Sequence, residues 1–195
     1  MIYTEKIRTS IKFAIKTHDL YQKQTRKGKN ISYISHPLTV GIILARAGAS
    51  EDVVVAGILH DTIEDSVPEK KVTWEMLNER FGPIVADLVQ SVTENGKDES
   101  WGERKRHARE QIKDFSPESL LLKSADILSN GSELLDDYAR YGDEVFERFS
   151  APKDKFIKHQ LDSIALVLEC WPDNPLAPDL KNLANNHRLF DTVIN

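Results

Sequence analysis

Apolar residues recur at intervals of three and four along most of this chain, and that spacing predicts helices. Ile7, Ile11, Ala14, Ile15 and His18 form a first stripe that ends near Gln22. Ser35 is placed to cap a second helix in which His36 comes first, and Pro37 sits where a missing N–H does no harm. Leu38, Val40, Ile42, Ile43, Leu44 and Ala47 fill that helix, and Gly48 ends it. The run Val53 to Leu59 is apolar on nearly every side, which suits a strand or a fully buried helix. Ser50 as a cap, Glu51 and Asp52 in a first turn, and helical patterns on both sides select the helix.

Beyond Pro68, Thr73 caps a helix from Trp74 to Phe81, and Gly82-Pro83 marks a stop followed by a start. Ile84, Val85, Leu88, Val89 and Val92 make the next stripe, and the polar stretch Glu94 to Ser100 reads as an exposed, mobile loop. Ser100-Trp101-Gly102-Glu103 has capping-box spacing before a basic helix that reaches Lys113. Ser116-Pro117-Glu118 opens a helix that runs toward Gly131, where a local break is expected, and Asp136 to Gly142 reads as a loop. Val145 to Phe149, Lys153 to Cys170 and Leu180 to Phe190 supply the last helices. The expected fold is all-α: one helical domain over residues 1–195 with about nine helices, no repeat and no compositional boundary.

Composition narrows the class. With 195 residues, 40% of them hydrophobic, the chain can bury one substantial core. A net charge of -5 gives no support for a general nucleic-acid surface, though local cations can still take a small phosphorylated ligand. A single cysteine, Cys170, excludes an intrachain disulfide and any thiolate metal cluster. No apolar run approaches membrane-spanning length, and Met1 to Lys16 mixes Glu5, Lys6, Arg8 and Lys12 among its apolar positions. A cytoplasmic protein without a membrane partner is therefore expected; any oligomeric state is not readable.

The chemistry is concentrated in Gly57-Ile58-Leu59-His60-Asp61-Thr62-Ile63-Glu64-Asp65. An imidazole and three carboxylates directly after an apolar run are costly in a fold unless something positive holds them. His60 and Asp61 point about 100° apart on a helix, so both reach one ion only at a helix edge or a helix end. His36 and Asp126 are the partners expected to complete a divalent site of the kind that suits Mn, Fe or Zn. Lys123, Asp126 and Asn130 fall at i, i+3 and i+7, a cation, a ligand and an amide on one helix face. Glu64 and Asp65, close together beside a metal, can hold and pass a proton. Each element has a plainer reading too: His36 as a hydrogen-bonded structural residue, Asp126 as a salt-bridge partner of Lys123, and Lys23 to Lys29 as a solvated linker. His18 and His187 read as helix-interface residues, His107 and His159 as solvent-facing.

Taken together, His36, His60-Asp61 and Asp126 resemble the four-ligand signature of the HD superfamily of metal-dependent phosphohydrolases. Tyr33-Ile34-Ser35-His36-Pro37, Leu59 to Asp65, Phe81-Gly82 with Leu88 to Thr93, and Lys123-Ser124-Ala125-Asp126 look like the hydrolase domain of the RelA/SpoT alarmone enzymes, most of all the small stand-alone hydrolases. The resemblance implies one Mn²⁺ held by His36, His60, Asp61 and Asp126, and Glu64 with Asp65 activating the water that removes the 3′-pyrophosphate of ppGpp or pppGpp. It implies Arg26, Lys27, Tyr33, Lys123 and Asn130 as the nucleotide pocket. Ser129, Gly131 and Ser132 depart from the family pattern around Asn130, which leaves a related phosphorylated nucleotide such as NADPH open as the substrate. A generic nucleotide phosphatase and a non-catalytic binding module are the other readings; the joint presence of all six chemical residues disfavours the second.

Overall fold

The computed structural model describes residues 3–94, 96 and 98–190, and the expected mobile loop at 94–100 lies partly outside them. Among the described residues there is no strand, only an isolated bridge between Thr25 and Ser32. The described residues form nine α-helices of eight residues or more and one single turn, with one π-helical and two 3-10 segments, which bears out an all-α chain of about nine helices. No described helix is long and apolar enough to cross a membrane. The chain divides into two compact units, residues 1–94 and 95–195.

In the first unit, α1 (Glu5–Ile15) is capped by Thr4, whose hydroxyl accepts from the Ile7 N–H. The expected continuation to Gln22 is helical but not α: Lys16–Tyr21 is a π-helical segment. α2 (Ser35–Arg46) begins one residue earlier than anticipated, so Ser35 is its first residue and not its cap. The apolar run forms α3 (Glu51–Leu59), in which every residue from Val53 to Leu59 is buried. It packs against α1, α2 and α6 (Pro83–Val92), and α6 packs in turn on α5 (Trp74–Phe81). A helix enclosed by three others needs apolar groups all round, which is why its β-branched run does not make a strand.

Two glycines let α2 and α3 touch. A Cβ at Gly57 would lie 2.3 Å from Leu44 Cδ1, and one at Gly41 would lie 2.7 Å from Ile58 Cγ1. In the chain, α3 is followed by α4 (Thr62–Asp65), a single turn.

In the second unit, α7 (Trp101–Ile112) starts with the anticipated capping box between Ser100 and Glu103. α8 (Pro117–Tyr141) runs straight through Gly131 and the segment read as a loop, and stops only at Gly142, whose φ is 57°. The reason is tertiary. A Cβ at Gly131 would sit 2.5 Å from Leu183 Cδ2 of α10 (Ala177–Leu189), so the glycine marks a close helix contact and not a break. Farther along α8, Leu134 joins Val145, Phe146, Ile157 and Phe190 in a buried cluster, with Tyr138, Phe149 and Phe156 packed on it, and Asp137 pairs with Arg148. These contacts extend the helix over residues whose polarity suggested a loop. α9 (Lys153–Cys170) has the anticipated limits and packs on α7, α8 and α10.

His107 is exposed, as anticipated, and bridges to Glu99 at 2.9 Å; His18 and His187 are fully buried. His159 is not solvent-facing: Trp101 packs on its ring at 5.7 Å and the Arg109 guanidinium donates to Nδ1 at 2.7 Å. Burial, and then the charges of Lys105, Arg109 and Lys123, push its pKa down to about 3. Because the unfolded imidazole titrates near 6.5, only the unfolded state gains a proton as pH falls from there toward 3, and stability falls with it. Urea unfolding of wild type and His159→Gln at pH 7 and 4.5 is expected to show that the variant loses about 2 kcal/mol less over this interval.

Candidate active site

The end of α3 determines the site. His60 is the C-cap of α3 and Asp61 the N-cap of α4, with the Asp61 backbone at φ -91° and ψ -4°. The helix breaks where the two residues could not otherwise aim at one point. Thr62 secures the break by donating from its hydroxyl to the Leu59 carbonyl at 2.7 Å. His60 Nδ1 donates to the Gly57 carbonyl at 2.8 Å, which makes Nε2 of the neutral ring a lone-pair donor to a metal. That Nε2 lies 3.1 Å from Asp61 Oδ2, and His36 Nε2 lies 3.6 Å from the same oxygen. The two imidazole rings are 5.1 Å apart, and both histidines are buried, at 3% and 5% exposure.

The His60 Nε2 lone pair and the Asp61 carboxylate, converging in this way, repel one another unless a cation lies between them. Separations of 3.1 and 3.6 Å match the edges of a coordination shell with bonds of about 2.1 Å. The residues of the first unit therefore fit a divalent ion. Tyr33 donates to Asp61 Oδ2 at 2.6 Å, a second-layer contact that orients the carboxylate. Burial, then the Asp61 and Asp65 charges, hold its phenol pKa well above the ordinary value, so it remains a donor.

Glu64 and Asp65 lie on the separate turn α4, in which the Asp65 N–H donates to the Asp61 carbonyl at 2.9 Å. The Glu94 N–H donates to Glu64 Oε2 at 3.3 Å. Burial, and then the negative charges of Asp61, Glu94 and Asp65, push the Glu64 carboxyl up to about 7. Such a group can exchange a proton near neutrality.

Arg26 lies in the short hairpin-like turn closed by the Thr25–Ser32 bridge, and its guanidinium stands 5.4 Å from the centre of the Tyr33 ring. Lys27 is exposed in the same turn. In the second unit, Asp126 accepts from Lys123 Nζ at 2.8 Å and from Asn130 Nδ2 at 2.6 Å, the in-line arrangement that the spacing on α8 anticipated. One participant was not foreseen: Gln24, whose amide reaches Asp65 from 41 positions away. Nothing in local spacing marks it.

A buried His/His-Asp cluster at the broken end of a helix, followed by an acidic turn, defines a class. The chain belongs to the HD-domain family, whose family model matches residues 10–127 and so extends past both Asp61 and Asp126. Among curated relatives, the guanosine-3′,5′-bis(diphosphate) 3′-pyrophosphohydrolase MESH1 of Danio rerio is 36% identical over 127 residues, which are 64% of this chain and 67% of that protein. The enzyme named guanosine-3′,5′-bis(diphosphate) 3′-pyrophosphohydrolase in Aquifex aeolicus is 35% identical over 130 residues, covering 66% of this chain but 18% of that longer protein. The structure of a metazoan ortholog of SpoT, described as hydrolysing ppGpp with a role in starvation responses, matches with a TM-score of 0.76 at 25% identity, over 96% of this chain and 98% of that one. The likeness to the stand-alone alarmone hydrolases is therefore borne out at the level of family and relatives.

Proposed function

We propose that residues 1–195 act as one metal-dependent phosphohydrolase domain that converts ppGpp or pppGpp to GDP or GTP and pyrophosphate. The observation that carries this reading is the approach of His36 and His60 to the single oxygen Asp61 Oδ2, with Glu64 and Asp65 on the next turn. The names of the relatives supply the substrate class.

Asp126, on α8, is assigned as the fourth ligand beside His36, His60 and Asp61, as the resemblance to the HD phosphohydrolases implies. The mixed imidazole–carboxylate set suits Mn²⁺. When bound, the cation lowers the pKa of water and offsets phosphoryl charge.

The chain's own residues do the rest. Asp65 and Glu64 orient the attacking water and take its proton. The water oxygen joins the phosphorus attached to O3′, the P–O3′ bond breaks, and O3′ leaves with a proton. Lys123 and Asn130 hold the Asp126 carboxylate in line, and Lys123 adds positive charge for the phosphates. Arg26, backed by Tyr33, offers a planar face for the base, and Lys27 a charge for a neighbouring phosphate.

The test is a substrate panel of ppGpp, pppGpp and NADPH with Mn²⁺, Mg²⁺ or Zn²⁺, with orthophosphate and pyrophosphate separated. Pyrophosphate with GDP from ppGpp, fastest with Mn²⁺, is the expected result. Orthophosphate from NADPH with ppGpp untouched would replace the alarmone reading by the related-nucleotide one.

A further inference from the structure

Asp65 is reached by a hydrogen-bonded chain that starts in the π-helical segment. Gln24 Nε2 stands 2.9 Å from Asp65 Oδ2, and Gln24 Oε1 stands 3.1 Å from Nδ1 of His18, which is fully buried. The chemistry of the groups sets the direction of the chain. An ionised carboxylate can only accept, so Gln24 must turn its NH₂ to Asp65 and its carbonyl to His18. His18 must then donate from Nδ1, which selects one tautomer.

The backbone is arranged to hold this geometry. The Gln24 N–H donates to the His18 carbonyl at 2.9 Å, and the Gln24 carbonyl accepts from the Tyr33 N–H at 3.0 Å. Lys23 adopts φ 51° to make the tight turn between them, an unusual conformation for a residue with a side chain. The wider π-helical turn over Lys16–Tyr21 carries His18 into the interior. The His18 ring also lies 5.1 Å from the Tyr33 ring, and the Tyr33 hydroxyl holds Asp61. One buried histidine thus supports the partners of two acidic residues.

We propose that Gln24 and His18 are positioning residues for Asp65: Gln24 fixes the carboxylate rotamer, and His18 fixes Gln24. This rests on the reading of Asp65 as one of the two carboxylates that activate water. A carboxylate free to rotate spends much of its time outside the reactive geometry, and misplacement of about 1 Å can lower turnover on the order of 100-fold. His18 acts only through Gln24, so losses from the two should not multiply.

The test uses the Mn²⁺-loaded full chain with ppGpp. Gln24→Leu is expected to lower kcat by about 10- to 100-fold with little change in KM, while helical content and bound Mn²⁺ stay those of wild type. His18→Phe keeps the ring on Tyr33 but removes the donor, and should lower kcat less. The double variant should match Gln24→Leu. Independently of turnover, ¹⁵N NMR of the metal-free protein should show His18 protonated at Nδ1 in wild type and released from that tautomer in Gln24→Leu. Wild-type kcat in Gln24→Leu while Asp65→Asn is inactive would overturn the proposal, as would multiplicative losses in the double variant or an Nε2-protonated His18 in wild type. Full activity of Asp65→Asn would instead overturn the catalytic reading of Asp65 on which it stands.

Discussion

Glu64→Gln and Asp65→Asn are each expected to lower ppGpp turnover by about 10²- to 10⁴-fold, the range for removal of a positioned proton acceptor, while one metal ion per chain stays bound. Both replacements keep the size of the side chain and its ability to hydrogen-bond, so neither should disturb the turn Thr62–Asp65. What they remove is a basic oxygen. For Glu64 the environment matters most. Burial and the surrounding charges of Asp61, Glu94 and Asp65 hold its proton affinity near neutrality, which an ordinary surface glutamate lacks. Single-turnover assays with metal analysis of the same samples check the prediction. Loss of metal together with activity would make these residues ligands, and retained activity would remove them from the proton path.

His60→Ala is expected to abolish both metal retention and turnover, and chelation of wild type should do the same reversibly. His60 is buried, its Nδ1 is committed to the Gly57 carbonyl, and its Nε2 faces Asp61 Oδ2 at 3.1 Å. Removing the ring removes a ligand and leaves the carboxylate in a poorly solvated position, so affinity falls through both terms. Metal stabilises only the folded chain, so the wild-type melting temperature should rise with Mn²⁺ and that of His60→Ala should not. His36→Ala and Asp126→Asn test the remaining ligand assignments by the same two readouts. A metal-induced rise that survived in all three variants would place the cation elsewhere.

Several features were legible in the sequence because they depend on neighbours within a turn or two. The caps at Ser50, Thr73 and Ser100 are side-chain oxygens that accept from the N–H three residues on. Lys123, Asp126 and Asn130 meet because helical spacing alone places them on one face. The enclosed helix α3 could be told from a strand by its flanks and its cap. Local spacing failed where a distant segment settled the matter. Gly131 and the polar Asp136 to Tyr141 read as helix breakers, yet contact with Leu183 and the aromatic cluster keeps α8 unbroken. His159 reads as exposed until Trp101 and Arg109 cover it.

By itself, then, the sequence determined the helices, their caps, the buried run and the acidic turn that carries the chemistry, all consequences of short-range spacing and of the cost of burying charge. The tertiary structure alone decided where α3 stops, so that His60 and Asp61 aim together, that His36 reaches the same oxygen, and that Gln24 reaches Asp65. Those outcomes depend on close approach between segments distant in the chain, such as the glycine contacts of α2 with α3. Such approaches are set by the packing of the whole unit, which the order of residues within any one turn does not record.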